Sequence, residues 1–189
     1  DLKDVYAEMQ LAMPSLSNIN WNRLNNEHAV TYPCSSPDKP GQEIVFADGF
    51  PTANSRGQFV PANFTPPNDM LDEQYPFILT TGRQLEHWHT GSITRRSHVL
   101  DTLEPEAFVQ LNSNDAKRLD IKAGELAKIT SRRGTIKLKV RLDDNIQQNL
   151  VFIPFAFVES AANILTSAAL DPDGKIPEFK YSTVSIEKA

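Results

Sequence analysis

A mainly β fold, a small closed barrel with short helices between its strands, is what this sequence predicts for residues 71–189. A helical and extended appendage over residues 1–70 precedes it. Three observations carry the expectation. Strand-length apolar runs recur through the second part of the chain, at Pro76–Thr80, Phe108–Leu111, Leu126–Ser131, Leu150–Phe155 and Tyr181–Ile186. Ile136, Leu138 and Val140 alternate with Lys137, Lys139 and Arg141, the period of a strand with one buried face. Only short helical stretches intervene, so there is too little helix to cover an open sheet.

Leu2 to Met13 has apolar residues at helical spacing and reads as an amphipathic helix that Pro14 ends. Ser17 is the expected N-cap of a second helical turn carrying Ile19, Trp21 and Leu24. Tyr32 to Gly41 is a Pro- and Ser-rich surface loop, and Glu43–Ala47 and Gly57–Val60 are expected strands. Pro61 to Asp72, with three prolines, is the expected connector and places the domain boundary. Beyond it, Leu100–Pro105 reads as a loop. Asn112 or Ser113 caps a helix through Leu119, with Asp115 in its first turn to complement the dipole. Arg132-Arg133-Gly134-Thr135 is a hairpin turn in which Gly134 is expected at positive φ. Ser160–Ser167 is short helix or loop, and Asp171–Lys180 is an irregular return rich in turn residues.

Composition excludes several functions. The net charge of −5 argues against nucleic acid, whose binders present a positive face. No apolar run approaches the roughly 20 residues of a membrane span. One cysteine, Cys34, precludes an internal disulfide and an iron–sulfur cluster held by this chain alone. The acidic start, Asp1-Leu2-Lys3-Asp4, is no signal peptide and suggests a fragment. Against the acidic background, Arg83–His98 carries three arginines and one glutamate, a local charge of 3 − 1 = +2, and three of the four histidines.

That positive potential lies on the stretch from Thr80 to Arg96, which has neither helical nor strand periodicity and follows directly on a buried strand. A rigid strand ending in a Gly-containing loop of hydroxyls, imidazoles and guanidiniums is suited to grip a polyanion. His87, Trp88 and His89 would hydrogen-bond or stack on a flat polar ring. The i, i+2 spacing of the histidines also allows a metal pair, but no third ligand clusters near them. Arg83, Arg95 and Arg96 are the candidate phosphate cations. Asn163 and Thr166, polar among Ala, Ile and Leu, are candidate contacts on the far side. No Ser-His-Asp set, nucleophile elbow or Gly-x-Gly-x-x-Gly turn occurs.

Thr81-Gly82-Arg83 through Arg95-Arg96, followed by Leu100-Asp101-Thr102-Leu103-Glu104-Pro105-Glu106, resembles the C-terminal molybdopterin-dinucleotide-binding domain of molybdenum- or tungsten-dependent formate dehydrogenase alpha subunits. Further matches are Asn114-Asp115-Ala116, Ser131-Arg132-Arg133-Gly134, Asn163-Ile164-Leu165-Thr166, Ala169-Leu170-Asp171-Pro172 and Gly174 to Lys180. Pro14-Ser15-Leu16, Trp21-Asn22-Arg23-Leu24 and Phe50-Pro51-Thr52 resemble the segment that precedes that domain. Ser55, Asp120 and Ser167 depart from the family, which usually has Gly, Gly and Asn there.

The resemblance implies a double-psi β-barrel closing over molybdopterin guanine dinucleotide. Its implied cofactor contacts are Thr81, Gly82, Arg83, Gln84, Leu85, Glu86, His87, Trp88, His89 and Thr90, with Phe155, Asn163 and Lys180. The implied parent oxidises formate to carbon dioxide in the cytoplasm. Its catalytic residues and iron–sulfur centres lie outside this chain, and its partners are the rest of the alpha subunit and iron–sulfur or flavin electron-transfer subunits. No metal ligand falls on this chain. The loop is also similar to that of periplasmic-type nitrate reductase catalytic subunits, although Ile176–Lys180 and the Trp21 segment favour formate. A stand-alone double-psi barrel that binds protein partners is the alternative from another class.

Overall fold

The computed structural model describes residues 1–189 and divides into two compact units, Asp1–Asn63 and Phe64–Ala189. No helix is long and apolar enough to cross a membrane.

In the first unit, helix α1 (Leu2–Ala12) starts at Asp1, whose side chain accepts from the Lys3 amide. A 3-10 turn at Pro14–Leu16 leads to helix α2 (Trp21–Glu27). The α2 cap is Asn20, not Ser17. Asn20 has the extended backbone a cap requires, and its Oδ1 accepts from the Arg23 amide at 2.9 Å. The unit buries Ile19 and Cys34 but no residue of either helix. Polar bonds hold it instead: Arg23 donates to the Lys39 carbonyl at 2.7 Å and to Glu27 at 2.9 Å, and Tyr6 donates to the Ile19 carbonyl at 2.6 Å. The expected strands Glu43–Ala47 and Gly57–Val60 are absent. They have the composition of strands but no sheet edge to pair with, and Ile44, Val45 and Phe46 are left exposed in turns.

The second unit is a closed six-stranded barrel of β1 (Phe77–Gly82), β2 (Phe108–Leu111), β3 (Leu126–Ser131), β4 (Thr135–Leu142), β5 (Leu150–Pro154) and β6 (Ser182–Lys188). Around the barrel the order is β1-β5-β2-β4-β3-β6. Two pairs, β1–β5 and β2–β4, are parallel and the remaining four are antiparallel, the double-psi arrangement. The alternation read in β4 places Ile136, Leu138 and Val140 inside. They pack with Leu79, Val109, Leu111, Ile129, Val151, Ile153 and Val184 in one core.

Helix α4 (Ser113–Arg118) is capped by Asn112, which accepts from the Asn114 amide. Leu100–Pro105 is not a loop: helix α3 spans His98–Leu103. Its Val99 and Leu103 face solvent, so it has no apolar stripe by which to be recognised. Gly134 does not take a positive φ. It is needed for another reason, since a Cβ there would lie 2.4 Å from Ile164 Cγ2. Ser55 and Asp120, which stand where relatives of the resembled family have Gly, have φ of 56° and 54°. Both are left-handed positions that cost an L-residue energy.

Asp120→Gly is therefore expected to stabilise the barrel by up to about 1 kcal/mol, the gain being reduced by the greater chain entropy of Gly when unfolded. Denaturant melts of the two proteins check this. A lower midpoint for the glycine variant would contradict it.

Candidate functional site

Strand pairing brings three segments of sequence to one rim of the barrel. The parallel β1–β5 register matches Gly82 with Pro154, so the chains leaving both strands depart at the same end. The ladder continues one step past the strands, where the Phe155 amide donates to the Gly82 carbonyl at 3.1 Å. Strand β6 runs antiparallel to β1 with Leu79 opposite Ser182. Two steps further along that register Thr81 meets Lys180. Here the Thr81 hydroxyl donates to the Phe179 carbonyl at 2.8 Å, and Lys180 Nζ donates to the Thr81 carbonyl at 2.6 Å. The ammonium sits 5.7 Å from the Phe155 ring and 5.5 Å from the Phe179 ring, within cation–π range. Thr81, Gly82, Phe155 and Lys180 thus meet at one place.

Gly82 has a local reason. A Cβ there would lie 2.5 Å from the Phe152 ring. The bare backbone allows that ring to close on β1.

The loop after β1 folds on itself. The Gly91 amide donates to the Trp88 carbonyl at 2.9 Å, and the Trp88 amide donates to Thr94 Oγ1 at 3.0 Å. His89 and Gly91 adopt φ of 50° and 72°. At Gly91 a Cβ would lie 2.7 Å from the Ala156 carbonyl oxygen, so the two loops touch there through backbone. Trp88 is exposed, packs edge-on to His89 at 4.6 Å and lies beneath the Arg83 guanidinium at 5.6 Å. The side chains of Arg83 and Arg96 make no hydrogen bond or ion pair. Leu85 projects almost fully into solvent, Glu86 is half-buried, and Thr90 and Asn163 are exposed. Asn163 sits on a 3-10 turn, Ala162–Ile164, with its side chain unbonded and its carbonyl accepting from Thr166.

Two expected residues occupy different surroundings from the exposed group. His87 is fully buried, edge-on to Phe157 at 5.5 Å, with Nε2 at 2.7 Å from the Glu104 carbonyl. A carbonyl only accepts, so Nε2 carries the hydrogen. His87 Nδ1 and both amide atoms of Gln84 are shut off from solvent without any partner.

Arg95, grouped by the sequence with the candidate phosphate cations, is already neutralised. Its Nη1 lies 2.7 Å from Glu159 and its Nε 3.2 Å from Asp101, and the guanidinium stacks 4.8 Å over Phe157. Its pKa is held above the usual arginine value, first by the bond to Glu159. Arg95 therefore fastens the loop after β1 to α3 and to the chain after β5. Sequence reasoning missed Asp101 and Glu159 because the latter is 64 residues from Arg95 and no local spacing links them.

The unpaired cations beside an exposed tryptophan are donors of the kind a polyanion carrying flat heterocycles takes, and the orphan atoms of Gln84 and His87 add one enclosed donor and two acceptors. The fold is a double-psi barrel, and this rim is its candidate ligand-binding surface. The chain belongs to the molydopterin dinucleotide binding domain family, whose model matches residues 77–183. It is 40% identical over 187 residues to the F420-dependent formate dehydrogenase subunit alpha of Methanocaldococcus jannaschii, a match covering 99% of this chain and 28% of that protein. It is 31% identical to the assimilatory nitrate reductase catalytic subunit of Bacillus subtilis, over 97% of this chain and 27% of that one. Acetylene hydratase from Pelobacter acetylenicus shares the fold, with a TM-score of 0.56 at 19% identity over 62% of this chain and 19% of the hydratase. The chain thus spans little more than a quarter of the length of these curated relatives.

Burial alone would push the Glu159 carboxyl up, but the bond from Arg95, a backbone hydrogen bond and the Arg95 charge together hold the group below the usual carboxylate range; the Asp101 charge opposes this. A depressed folded value means that the Arg95–Glu159 contribution is present above the ordinary glutamate pKa of about 4.3 and is lost as pH falls through the folded value. The melting temperature of Glu159→Gln should therefore lie below wild type at neutral pH and converge with it below about pH 4. A gap that persists in acid would show that charge is not its source.

Proposed function

We propose that this chain is the cofactor-binding part of a formate dehydrogenase alpha subunit, and that the rim just described holds molybdopterin guanine dinucleotide. The observation that carries the proposal is the convergence of Arg83, Trp88, Phe155 and Lys180 on one rim of a barrel of this family, with cationic groups lacking a protein counter-ion. The 40% identity along nearly the whole chain supports formate as the substrate of the full protein. The lower 31% identity to a nitrate reductase makes nitrate the second reading.

On this reading Arg83 and Lys180 neutralise phosphate. The Trp88 indole and His89 imidazole lie along a flat ring, and Thr90 and Asn163 donate to its polar edges. Thr81, Gly82 and Phe155 shape the floor. Gln84 and His87, enclosed without full partners, belong to a loop that settles when the ligand completes it, and Leu85 and Glu86 flank that loop. When bound, the cofactor's molybdenum or tungsten supplies the two-electron chemistry that converts formate to carbon dioxide. This chain binds and orients; the residues that act on formate, the iron–sulfur centres and the contacts with electron-transfer subunits fall in the part of the relatives it does not cover. The first unit, residues 1–63, with the connector to residue 70, is the segment that leads into the binding domain. We place the full enzyme in the cytoplasm.

The test uses the full-length protein purified without oxygen. It is expected to yield pterin fluorescence after oxidation, stoichiometric molybdenum or tungsten, and formate-dependent dye reduction without nitrate reduction. Arg83→Ala and Lys180→Ala should each lower pterin retention by about ten- to a hundredfold, the equivalent of one charge-assisted hydrogen bond. A protein that carries neither pterin nor metal removes the reading. Nitrate reduction without formate oxidation transfers it to the second one.

A further inference from the structure

Asp69 lies in the stretch that the sequence marks as a connector, yet it is only 5% exposed. Its Oδ2 accepts from the Thr183 amide at 2.8 Å and from Arg133 Nη2 at 2.7 Å. Its Oδ1 accepts from the Thr183 hydroxyl at 3.0 Å and from Arg132 Nη1. One buried carboxylate thus joins residues 114 positions apart in sequence. Burial alone would push the Asp69 carboxyl up, but the bonds from Arg133 and Thr183 hold it below the usual carboxylate range.

Two of these partners, Arg133 and Thr183, lead to different parts of the rim. Arg133 reaches past Asp69 and donates from Nε and Nη2 to the Leu165 carbonyl at 3.1 and 2.8 Å. Leu165 closes the turn that carries Asn163, since its amide donates to the Ala162 carbonyl. Gly134, next to Arg133, lets the hairpin close on Ile164 of that same turn. In the other direction Thr183 lies three residues beyond Lys180. Asn68, the neighbour of Asp69, donates from its amide to Glu178 at 3.1 Å, two residues before Lys180.

We propose that Asp69 is a positioning residue for the far side of the site: through Arg133 it sets the turn that presents Asn163, and through Thr183 it sets the segment that presents Lys180. The positioning rests on geometry alone, while its consequence for an anionic dinucleotide rests on the function proposed above. Asp69 touches no ligand in this scheme. Removing its charge leaves Arg133 to choose between Leu165 and solvent, and the far side loosens while the barrel stays closed.

Hydrogen exchange of the full-length protein, read by mass spectrometry, separates this role from general stabilisation. In Asp69→Asn, exchange in 162–167 and 178–183 should rise about tenfold, with 77–82 and 126–131 within about twofold of wild type. Arg133→Lys keeps the charge but loses the fork between Asp69 and Leu165, so only 162–167 should loosen. It also serves where Asp69→Asn fails to fold. In the cofactor-loaded protein, pterin should dissociate about tenfold faster from Asp69→Asn. An even rise across the barrel, or no rise in either segment, overturns the proposal, as does an unchanged pterin release rate. If wild type carries no pterin, the functional reading fails while the exchange pattern still decides the positioning.

Discussion

The pairing of β1 with β5 on one edge and β6 on the other is the constraint on which the site depends. Because β1 and β5 run parallel and end in register at Gly82 and Pro154, their outgoing loops emerge side by side. Because β6 runs the other way, it enters at that same rim, and Lys180 arrives beside Thr81. A closed barrel has no edge strand to fray, so its rim presents these segments on a rigid base. The close approach of Phe152 to Gly82 keeps that base tight.

Charge is distributed over this rim by pairing rather than by number. Three arginines lie in the loop, but Arg95 is bound between Asp101 and Glu159 and acts as a brace. Arg83 and Arg96 lack counter-ions, and Lys180 has one donor bond to a carbonyl. An exposed guanidinium over an exposed indole is weakly held on its own and gains most from an anion with a flat ring beside it. The same contrast holds deeper in the molecule. Arg133 is tied to Asp69 and Leu165, so it serves the architecture of the far side and not its binding capacity. Two braces, Arg95 on the near side and Arg133 on the far side, hold the polar surface between them.

The barrel strands were legible because each carries its own pattern: the alternation in β4, the apolar runs of β1 and β5, and the Asn112 cap of α4 are local signals with local causes. The loop after β1 was legible as a cationic, aromatic stretch of irregular chain, and the family resemblance was carried by that stretch and by residues 163–180. Helix α3 was not legible, because its apolar residues face solvent. The strands expected at Glu43–Ala47 and Gly57–Val60 failed for the opposite reason: strand composition without a neighbouring edge does not make a strand. Gly134 was correctly singled out but for the wrong cause, since its need is set by Ile164, 30 residues away.

The sequence by itself determined the class of fold, the place of the cationic loop and the family, because these rest on periodicity, composition and motif within short windows. Only the tertiary structure decided which charges are available, that His87 is enclosed, and that Asp69 belongs to the barrel. Those facts depend on partners such as Glu104 for His87, Glu159 for Arg95 and Thr183 for Asp69, 17, 64 and 114 residues distant, and burial and pairing across such distances follow from how the barrel closes, which no local window encodes.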